Sequence, residues 1–503
     1  MANLPCESSR RIAVWFFLLL SCFFALTSTG RVHVIDEVLS VYQAESLVER
    51  GDTAVPQAVA TQLFFGTFDR YGRPQTGYPP GHSIASMPWY LAGHYLLSRL
   101  PGVPPPARNL MSDFVTVLSS AAFSALAAAL ALLLFLELGG ALMPSLLAAS
   151  LLALATPLFS YSGWFYSEPL SVLLLIAAAL ALFGSNGHAR EINAPPASGI
   201  PAANAFWAAA LLGLALWVRP TQIIVAPVFL LAIFFRDPAS RNPRALAVVS
   251  FGVALFAALY LLRNAYLFGD PFKFGYPEMA EHGKRVTSFQ TPLALGLMGF
   301  LFSPGKSLFL FAPPILLAPL GFRKLWHRQR GLALLTLLAP LTYVLFYARY
   351  TQWEGGYCYG PRYLVPGIAL GCLGLGAALS GASRLTRNLA MGLLLAGFLI
   401  QAIGLGTSFV DDQAGGGYYD ATYTYRMDHA PILSQGALFW KYLSSPQPAP
   451  LGRGFDRWFV FLAKGGVSRN LIVCIAAFFL AGMLISVAKL RRCISAAGRA
   501  QAP

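Results

Sequence analysis

The stretch RRIAVWFFLLLSCFFALTSTGRVHVIDE, residues 10–37, joins two arginines, an apolar run and a pair of adjacent acids. The run from Ile12 to Thr27 could be a signal peptide or a first membrane helix. We favour the helix, because no small-x-small cleavage site followed by a soluble domain comes after it and many further apolar runs do. The chain therefore enters a membrane near its N-terminus and presents Asp36 and Glu37 just beyond it.

The composition is that of a membrane protein. Of 503 residues, 56% are hydrophobic and only 11% are charged, a balance that a soluble globule of this length does not normally show. The net charge of +15 is explained by Lys and Arg in cytoplasmic loops, so we expect no nucleic-acid partner. Six cysteines without a Cys-x-x-Cys pair predict neither a disulfide framework nor a zinc site.

Apolar runs of about the length that crosses a bilayer recur along the chain, and with the first they predict an all-α polytopic protein with about 12 transmembrane helices. The other predicted spans are 110–137, 143–162, 169–184, 199–217, 221–235, 245–267, 293–321, 331–348, 363–381, 388–408 and 469–488. Lys and Arg gather in alternate connections, which predicts that both termini are cytoplasmic. Two long segments, 28–109 and 409–468, then lie outside, and 469–503 forms the last helix and a basic tail.

Two segments leave the topology open. The stretch GHSIASMPWYLAGHYLLSRL, residues 81–100, is apolar enough to cross the membrane, but counting it inverts every later loop, so we favour an interfacial helix on the outer leaflet. Segments 199–217 and 221–235 could form one Pro-kinked helix. We favour two spans, with Arg219 at the outer turn, because one span would place the basic residues after 235 outside.

The acid pair begins a segment with apolar residues at helical spacing, which ends at Gly51 and Asp52. This pattern predicts a helix at the membrane interface. One interpretation is that Asp36 is an N-cap and Glu37 a first-turn acid favoured by the helix dipole. The other is that carboxylates held near hydrocarbon mark a functional site.

Several motifs in fixed order resemble one family. They are Asp36–Glu37 after the first span, ERGD (49–52), DRYGRPQTGYPPGHSI (69–84), YSEP (166–169), WVRPT (217–221) and YGPRYLVP (359–366). In this order the chain resembles the polyprenyl-phosphate-sugar-dependent membrane glycosyltransferases of the GT-C superfamily, which includes bacterial protein O-mannosyltransferases and aminoarabinose transferases. The resemblance covers most of residues 1–408 and implies a GT-C transmembrane catalytic module with a long first extracytoplasmic loop.

The resemblance implies transfer of a sugar from a polyprenyl-phosphate carrier to an acceptor hydroxyl at the extracytoplasmic face of a bacterial inner membrane. The acceptor is an envelope glycan, a lipid or a protein. Asp36 matches the catalytic base, and Glu37 would support it or bind a divalent ion. Glu168 matches a second acid that holds acceptor, sugar or metal, with a simple helix-start acid as the alternative. No cofactor is certain, and a divalent cation is left open.

The departing phosphate needs fixed positive charge, for which Arg219, Lys306 and Arg362 are the candidates; anchoring at the lipid headgroups is the alternative for the two arginines. Lys306 is the most informative of the three, because it lies within an apolar stretch. Related transferases commonly carry His or Lys where this chain has Tyr78, before Pro79 and Pro80. His82 is a candidate to replace that residue.

Two rival functions remain open. A transporter or flippase of lipid-linked sugars would also need membrane-embedded cations and outer-face acids, but such proteins usually show internal repeats, and we find none. A catalytically silent relative that acts as an assembly partner is the second rival.

Overall fold

The computed structural model describes residues 6–184, 199–236, 242–277, 288–410, 421–444 and 454–500. Its α-helices are Cys6–Thr27, Ile35–Glu49, Pro56–Ala60, Gly81–Leu91, Arg108–Glu137, Leu142–Leu154, Pro157–Ser162, Glu168–Phe183, Ala202–Val218, Ala226–Phe234, Pro243–Phe268, Leu293–Phe302, Leu308–Phe311, Ala318–Arg328, Arg330–Ala348, Val365–Cys372, Leu375–Leu379, Arg384–Gly406, Pro431–Ser444, Trp458–Lys464 and Arg469–Ala500. A π-helical segment spans Ala92–Leu96, and short 3₁₀ helices span Leu97–Arg99, Pro105–Ala107, Pro220–Val225, Pro313–Leu317, Arg362–Leu364, Ala421–Tyr425 and Met427–His429. One antiparallel hairpin pairs Gly66–Phe68 with Pro74–Thr76.

The predicted all-α polytopic class is confirmed. Six helices of the described residues are long and apolar enough to cross a membrane: Glu7–Thr27, Pro105–Glu137, Pro243–Phe268, Arg330–Ala348, Arg384–Gly406 and Arg469–Ala497. Shorter apolar helices add Leu142–Leu154, Glu168–Phe183, Ala202–Val218, Pro220–Phe234 and Leu293–Phe302. The total of about 12 crossings stays a prediction.

The first and last helices pack side by side in opposite directions. Gly482 faces Cys22, and the ammonium of Lys489 lies 6.0 Å from the ring centre of Trp15. Residue numbers that increase along the first helix therefore meet residue numbers that decrease along the last helix, so the two helices are antiparallel. The start of the last helix therefore lies at the same end of the bundle as the first outer loop.

Residues 81–100 leave and return to that same end. Gly81 packs against the backbone of Trp217, at the end of its helix, and the carbonyl of Gly102 accepts a hydrogen bond from the N–H of Ser468, just before the last helix begins. Between these points the segment packs against the first part of the long helix Arg108–Glu137. A segment with both ends on one side does not cross the bundle, which agrees with the predicted interfacial helix.

The segments on either side of Arg219 form separate helices, as predicted. Arg219 itself has extended backbone (φ −149°, ψ 115°), which ends the first helix. Gly213 packs on Phe256 and Ala209 on Gly252, so helices Ala202–Val218 and Pro243–Phe268 run parallel, with small residues allowing the close approach. Because these two neighbouring helices are parallel, the chain that connects them must cross the bundle in the opposite direction.

The predicted span 293–321 is not one helix. It breaks after Leu293–Phe302, resumes for one turn at Leu308–Phe311 and continues only from Ala318. Pro304 and Pro313 lie at the interruptions, where a proline lacks the N–H that a continuous helix needs. The predicted spans 143–162 and 363–381 are likewise each divided into two helices.

The basic connections that were predicted to be cytoplasmic meet at the end opposite to the first outer loop. Lys324 Nζ donates to the carbonyls of Ala378 and Ser380, at 3.0 and 2.7 Å, and Gly331 packs against Ala232. Arg190, Arg241, and parts of the 409–468 segment, namely 411–420 and 445–453, lie outside the described residues, as does the end of the basic tail, 501–503.

Candidate active site

Asp36 is not the N-cap of its helix, so that part of the interpretation was wrong, whereas Glu37 lies in the first turn as expected. The helix begins at Ile35, and the N-cap position is Val34. The Asp36 carboxylate instead turns towards other parts of the chain: Oδ1 accepts a hydrogen bond from the Tyr78 hydroxyl at 2.5 Å, and Oδ2 accepts from Arg362 Nη1 at 2.7 Å. Its side chain is 25% exposed, so it is accessible from outside the protein.

Arg362 joins Asp36 to a second acid. Its Nε donates to Glu168 Oε1 at 2.7 Å, and Arg219 forms an ion pair with the same oxygen. We call Asp36, Tyr78, Glu168, Arg219 and Arg362 the arginine cluster. Two acids and two guanidinium groups balance in charge, which lets them lie together in a site of low dielectric.

Aromatic rings hold the two arginines in place. The guanidinium of Arg362 lies 4.1 Å from the ring centre of Tyr166, and that of Arg219 lies 5.4 Å from the ring centre of Tyr363. These distances fall in the range of cation–π attraction. Because each ring belongs to a motif segment that also carries a charged member of the cluster, packing and ion pairing fix the same geometry.

Tyr78 presents its hydroxyl to Asp36 from an aromatic pocket. Its ring centre lies 6.4 Å from that of Phe65 and 5.9 Å from that of Tyr276. Burial and the neighbouring Asp36 carboxylate raise the pKa of Tyr78 well above its ordinary value, so the phenol stays protonated and donates its hydrogen bond. The tyrosine that departs from the family pattern thus contacts the predicted base directly.

Glu37 does not join the arginine cluster. Its Oε1 accepts a hydrogen bond from the backbone N–H of Phe165 at 2.9 Å, and its Oε2 contacts the backbone N–H and Nδ1 of His33. His33 Nε2 lies 2.7 Å from Asp456 Oδ2, and Asp456 Oδ1 accepts from Arg31 Nε at 2.7 Å. We call Arg31, His33, Glu37 and Asp456 the histidine relay.

Two buried polar atoms near the cluster have no hydrogen-bond partner within the described part of the chain: Nε2 of His82 and Oε2 of Glu168. The His82 ring lies 4.4 Å from that of Phe165. Burial lowers the pKa of His82 to about 4, although Glu168 acts to raise it, so the imidazole is neutral at physiological pH. Unpaired buried polar atoms are costly, so these two atoms are candidates for contact with a ligand.

Lys306 lies apart from the arginine cluster. It occupies the interruption before Leu308, and its Nζ lies 3.2 Å from the carbonyl oxygen of Cys358 and 3.1 Å from its Sγ. The residue is 1% exposed. Cys358 belongs to the same loop as Arg362, so Lys306 supports that loop, and its predicted contact with a phosphate stays a prediction.

The described residues contain no group of three or more His, Cys, Asp or Glu side chains that could hold a metal ion. Glu37 and Glu168, the two predicted metal ligands, belong to different networks. The carboxylate of Glu37 already faces N–H donors on both oxygens, whereas Glu168 faces two arginines.

Four residues around the site were not predicted from the sequence: Arg31, His33, Tyr276 and Asp456. Tyr276 is the last residue of the aromatic-rich segment FGDPFKFGY, residues 268–276. Its aromatic character was the available signal. His33 stands three residues before Asp36, and a titratable residue so near an acid pair was a signal too. Asp456 had none, because only folding brings it to His33, 423 positions away.

No family model and no curated protein matches the chain. Among solved structures, apo ArnT from Cupriavidus metallidurans is similar at 15% identity over 94% of this chain and 74% of its own, with a TM-score of 0.47. The same protein bound to undecaprenyl phosphate is similar at 16% identity over 95% and 76%, with a TM-score of 0.45. An apo oligosaccharyltransferase from Archaeoglobus fulgidus is similar at 15% identity over 86% and 58%, with a TM-score of 0.44.

Proposed function

We propose that the protein is an integral-membrane glycosyltransferase that moves a sugar from a polyprenyl-phosphate carrier to an acceptor hydroxyl at the extracytoplasmic face. The single observation that carries this proposal is the bridge of Arg362 between Asp36 and Glu168. It puts a partly exposed carboxylate beside two guanidinium groups at one end of a membrane bundle. Such a site holds a base for a hydroxyl and a cation for a phosphate at the same time.

In the proposed reaction, the acceptor oxygen forms a bond to the anomeric carbon as the bond from that carbon to the phosphate oxygen breaks. The phosphate leaves with the bonding electron pair, and the acceptor proton passes to Asp36. Positive charge that develops on the sugar makes the attacking hydroxyl more acidic, so a carboxylate is a sufficient base. Attack on the face opposite to the phosphate would invert the anomeric configuration.

The charge balance of the arginine cluster couples proton transfer to Asp36 with departure of the phosphate. While Asp36 is a carboxylate, it shares the positive charge of Arg362. Once Asp36 accepts the proton, its charge is neutralised, and the remaining carboxylate of Glu168 with the two guanidinium groups leaves the cluster with a net positive charge beside the leaving phosphate. A guanidinium carries five N–H donors, of which Arg362 uses Nε and one on Nη1 for carboxylates. Stabilisation that appears only as charge develops accelerates the reaction.

His82 and Glu168 are suited to hold the sugar or the acceptor. A neutral imidazole nitrogen and a carboxylate oxygen, both buried and unpaired within the described residues, can together bind a hydroxyl group. Arg219 keeps Glu168 charged and leaves its second oxygen for the substrate.

The orientation belongs to the same proposal. The basic connections at the opposite end of the bundle favour a cytoplasmic location for that end, in a bacterial inner membrane with both termini inside. The arginine cluster then faces outwards, where envelope glycans, lipids or proteins offer acceptor hydroxyls.

The experiment that tests this proposal is transfer of labelled sugar from a panel of polyprenyl-phosphate sugars to cell-envelope acceptors, with purified wild type and Asp36→Asn in the same lipid. We expect the variant to lose roughly 10²- to 10⁴-fold in rate, the usual contribution of a general base. Asp52→Asn, three residues beyond the other end of the same helix, is the matched control and should retain activity.

The alternatives give different results. If Asp36→Asn transfers as well as the wild type, Asp36 is not the base. If neither protein transfers sugar but both bind or move the lipid-linked sugar, the protein is a transporter. If the folded wild type does none of these with any donor, it is a catalytically silent relative.

A further inference from the structure

The histidine relay links the last outer segment of the chain to the first turn of the helix that carries Asp36. We propose that Asp456 is a positioning residue for Asp36 and acts through His33 and Glu37. This inference rests on the proposed function, because it concerns the rate of the same reaction. It assigns a role to a residue that is far from Asp36 in sequence and does not contact it.

The contacts of His33 determine its charge. Its Nε2 faces a carboxylate oxygen of Asp456 at 2.7 Å, and its Nδ1 faces a carboxylate oxygen of Glu37 at 3.3 Å. Ionised carboxylates only accept hydrogen bonds, so this geometry favours a hydrogen on both ring nitrogens, which is the imidazolium form of His33. The ring is fully buried, and Phe409 stacks on it at 5.4 Å.

The surrounding charges support the same state. Burial alone would lower the pKa of His33, and so does Arg31, but Asp456 and Glu37 outweigh them and raise it. Two further charged groups face the network: Asp113 lies near Glu37, and Arg457 lies near Asp456. Arg31 and His33 together balance Asp456 and Glu37, so the relay is neutral only while His33 is protonated.

The segment that carries Asp456 is fixed by backbone hydrogen bonds. The N–H of Asp456 donates to the carbonyl of Gly406 at 3.2 Å, and the N–H of Trp458 donates to the carbonyl of Ser28 at 3.3 Å. Thr407 and Phe455 form an isolated β-bridge beside them. Asp456 is therefore held between the end of one membrane helix and the start of the first outer loop, and it presents its carboxylate to His33 at a defined place.

From Glu37 the relay reaches both sides of the arginine cluster. Glu37 follows Asp36 in the first turn of the helix, so fixing its carboxylate fixes that turn. The other oxygen of Glu37 accepts the N–H of Phe165, which immediately precedes Tyr166, the ring under Arg362. Loss of the charge on His33 would release both segments, and a shift of about 1 Å in a reacting group can cost roughly a hundredfold in rate.

The test compares Asp456→Asn with the wild type in the sugar-transfer assay across pH 5.5 to 8. Without the Asp456 charge, burial and Arg31 should lower the pKa of His33, so the ring is neutral at pH 8 and regains its proton as the pH falls. We expect kcat at pH 8 to fall roughly tenfold to a hundredfold, with little change in KM for the donor. The ratio of variant to wild-type rate should rise as the pH decreases, and Asp456→Glu should recover most of the activity.

The matched control is Asp428→Asn, because Asp428 lies in the same outer segment but is exposed; its rate should equal that of the wild type at every pH. A wild-type rate for Asp456→Asn would overturn the proposal. So would a loss that is the same at every pH in a folded protein, because the charge of His33 would then not matter.

A second measurement, on the wild-type protein, tests the proposal even if the Asp456→Asn variant does not fold. Carbon-13 NMR spectra are recorded for wild type and His33→Gln, both with ¹³C-labelled histidine rings. The signal that is missing from the variant is that of His33. We expect an imidazolium signal that persists at pH 8, and a neutral ring at pH 7 would overturn the proposal. Failure of the proposed function is recognised separately, because the wild type would then transfer no sugar from any donor.

Discussion

Asp36 and Glu37 are neighbours in sequence, but they belong to two different polar networks. The Asp36 carboxylate is 25% exposed and takes part in the arginine cluster, whereas that of Glu37 is fully buried in the histidine relay. Successive residues of a helix point about 100° apart, so the two side chains leave the same turn in different directions. The comparison teaches that two adjacent acids can combine one accessible carboxylate with one that is buried and fully hydrogen-bonded.

The largest effect should come from removing the residue that bridges the two acids of the arginine cluster. Arg362→Met leaves Asp36 and Glu168 without their shared cation, and losing one partner of a buried ion pair costs about 3–5 kcal/mol. We expect a lower unfolding temperature in detergent micelles and almost no sugar transfer. Arg349→Met, an exposed arginine nearby, should leave both unchanged. Equal stability of Arg362→Met and wild type would show that the bridge contributes nothing.

Glu37→Gln provides the sharpest contrast with Asp36→Asn. Because Glu37 is fully buried and accepts from two segments, we expect its variant to lose about 1–3 kcal/mol of unfolding free energy, more than Asp36→Asn loses. The order should be reversed for transfer, where Asp36→Asn is the slower enzyme. Thermal unfolding and transfer measured on the same preparations check both halves. If one variant is both less stable and slower in transfer than the other, the proposed roles of Asp36 in catalysis and of Glu37 in support are wrong.

Tyr78→Phe should have an intermediate effect, because it removes one hydrogen bond to the Asp36 carboxylate and keeps the ring. A hydrogen bond to a charged group contributes about 1.5–3 kcal/mol, which corresponds to roughly a ten- to hundredfold lower rate. Tyr276→Phe, whose ring packs on Tyr78, should change the rate far less. Steady-state transfer kinetics of the two variants test this, and equal rates would show that the phenol does not orient Asp36.

Lys306→Met should have the smallest effect on transfer, less than about tenfold, the factor that corresponds to 1.4 kcal/mol. The ammonium contacts Cys358 and forms no ion pair within 4.0 Å with a described member of the arginine cluster. Its loss should therefore act through the loop that carries Arg362. A loss of rate as large as that of Arg219→Met would instead indicate direct contact with the leaving phosphate and would extend the cluster.

Local patterns in the sequence were enough to predict the class of the fold and much of its topology. Apolar runs and basic connections predicted the all-α polytopic bundle, a segment 81–100 that does not cross it and the turn at Arg219. Proline positions limited this approach at 293–321, because hydropathy averages over an interruption that a single residue introduces.

The candidate site was predicted only in part. Asp36, Glu168, Arg219 and Arg362 were each proposed separately, but nothing in their spacing shows that Arg362 bridges the two acids or that Lys306 stands apart. Which carboxylate of the pair is accessible was equally open, since both interpretations of Asp36 and Glu37 fit the same residues.

The sequence by itself determined that the chain is a helical membrane protein with acids at the end of its first span, because hydropathy and charge act locally and over lengths that a window can read. Only the tertiary structure decided which charges share a site. Ion pairs such as Arg362 with Asp36, and Asp456 with His33, join residues that are hundreds of positions apart. Their partners are chosen by the packing of whole helices, which brings together side chains whose charges would be too costly to bury alone.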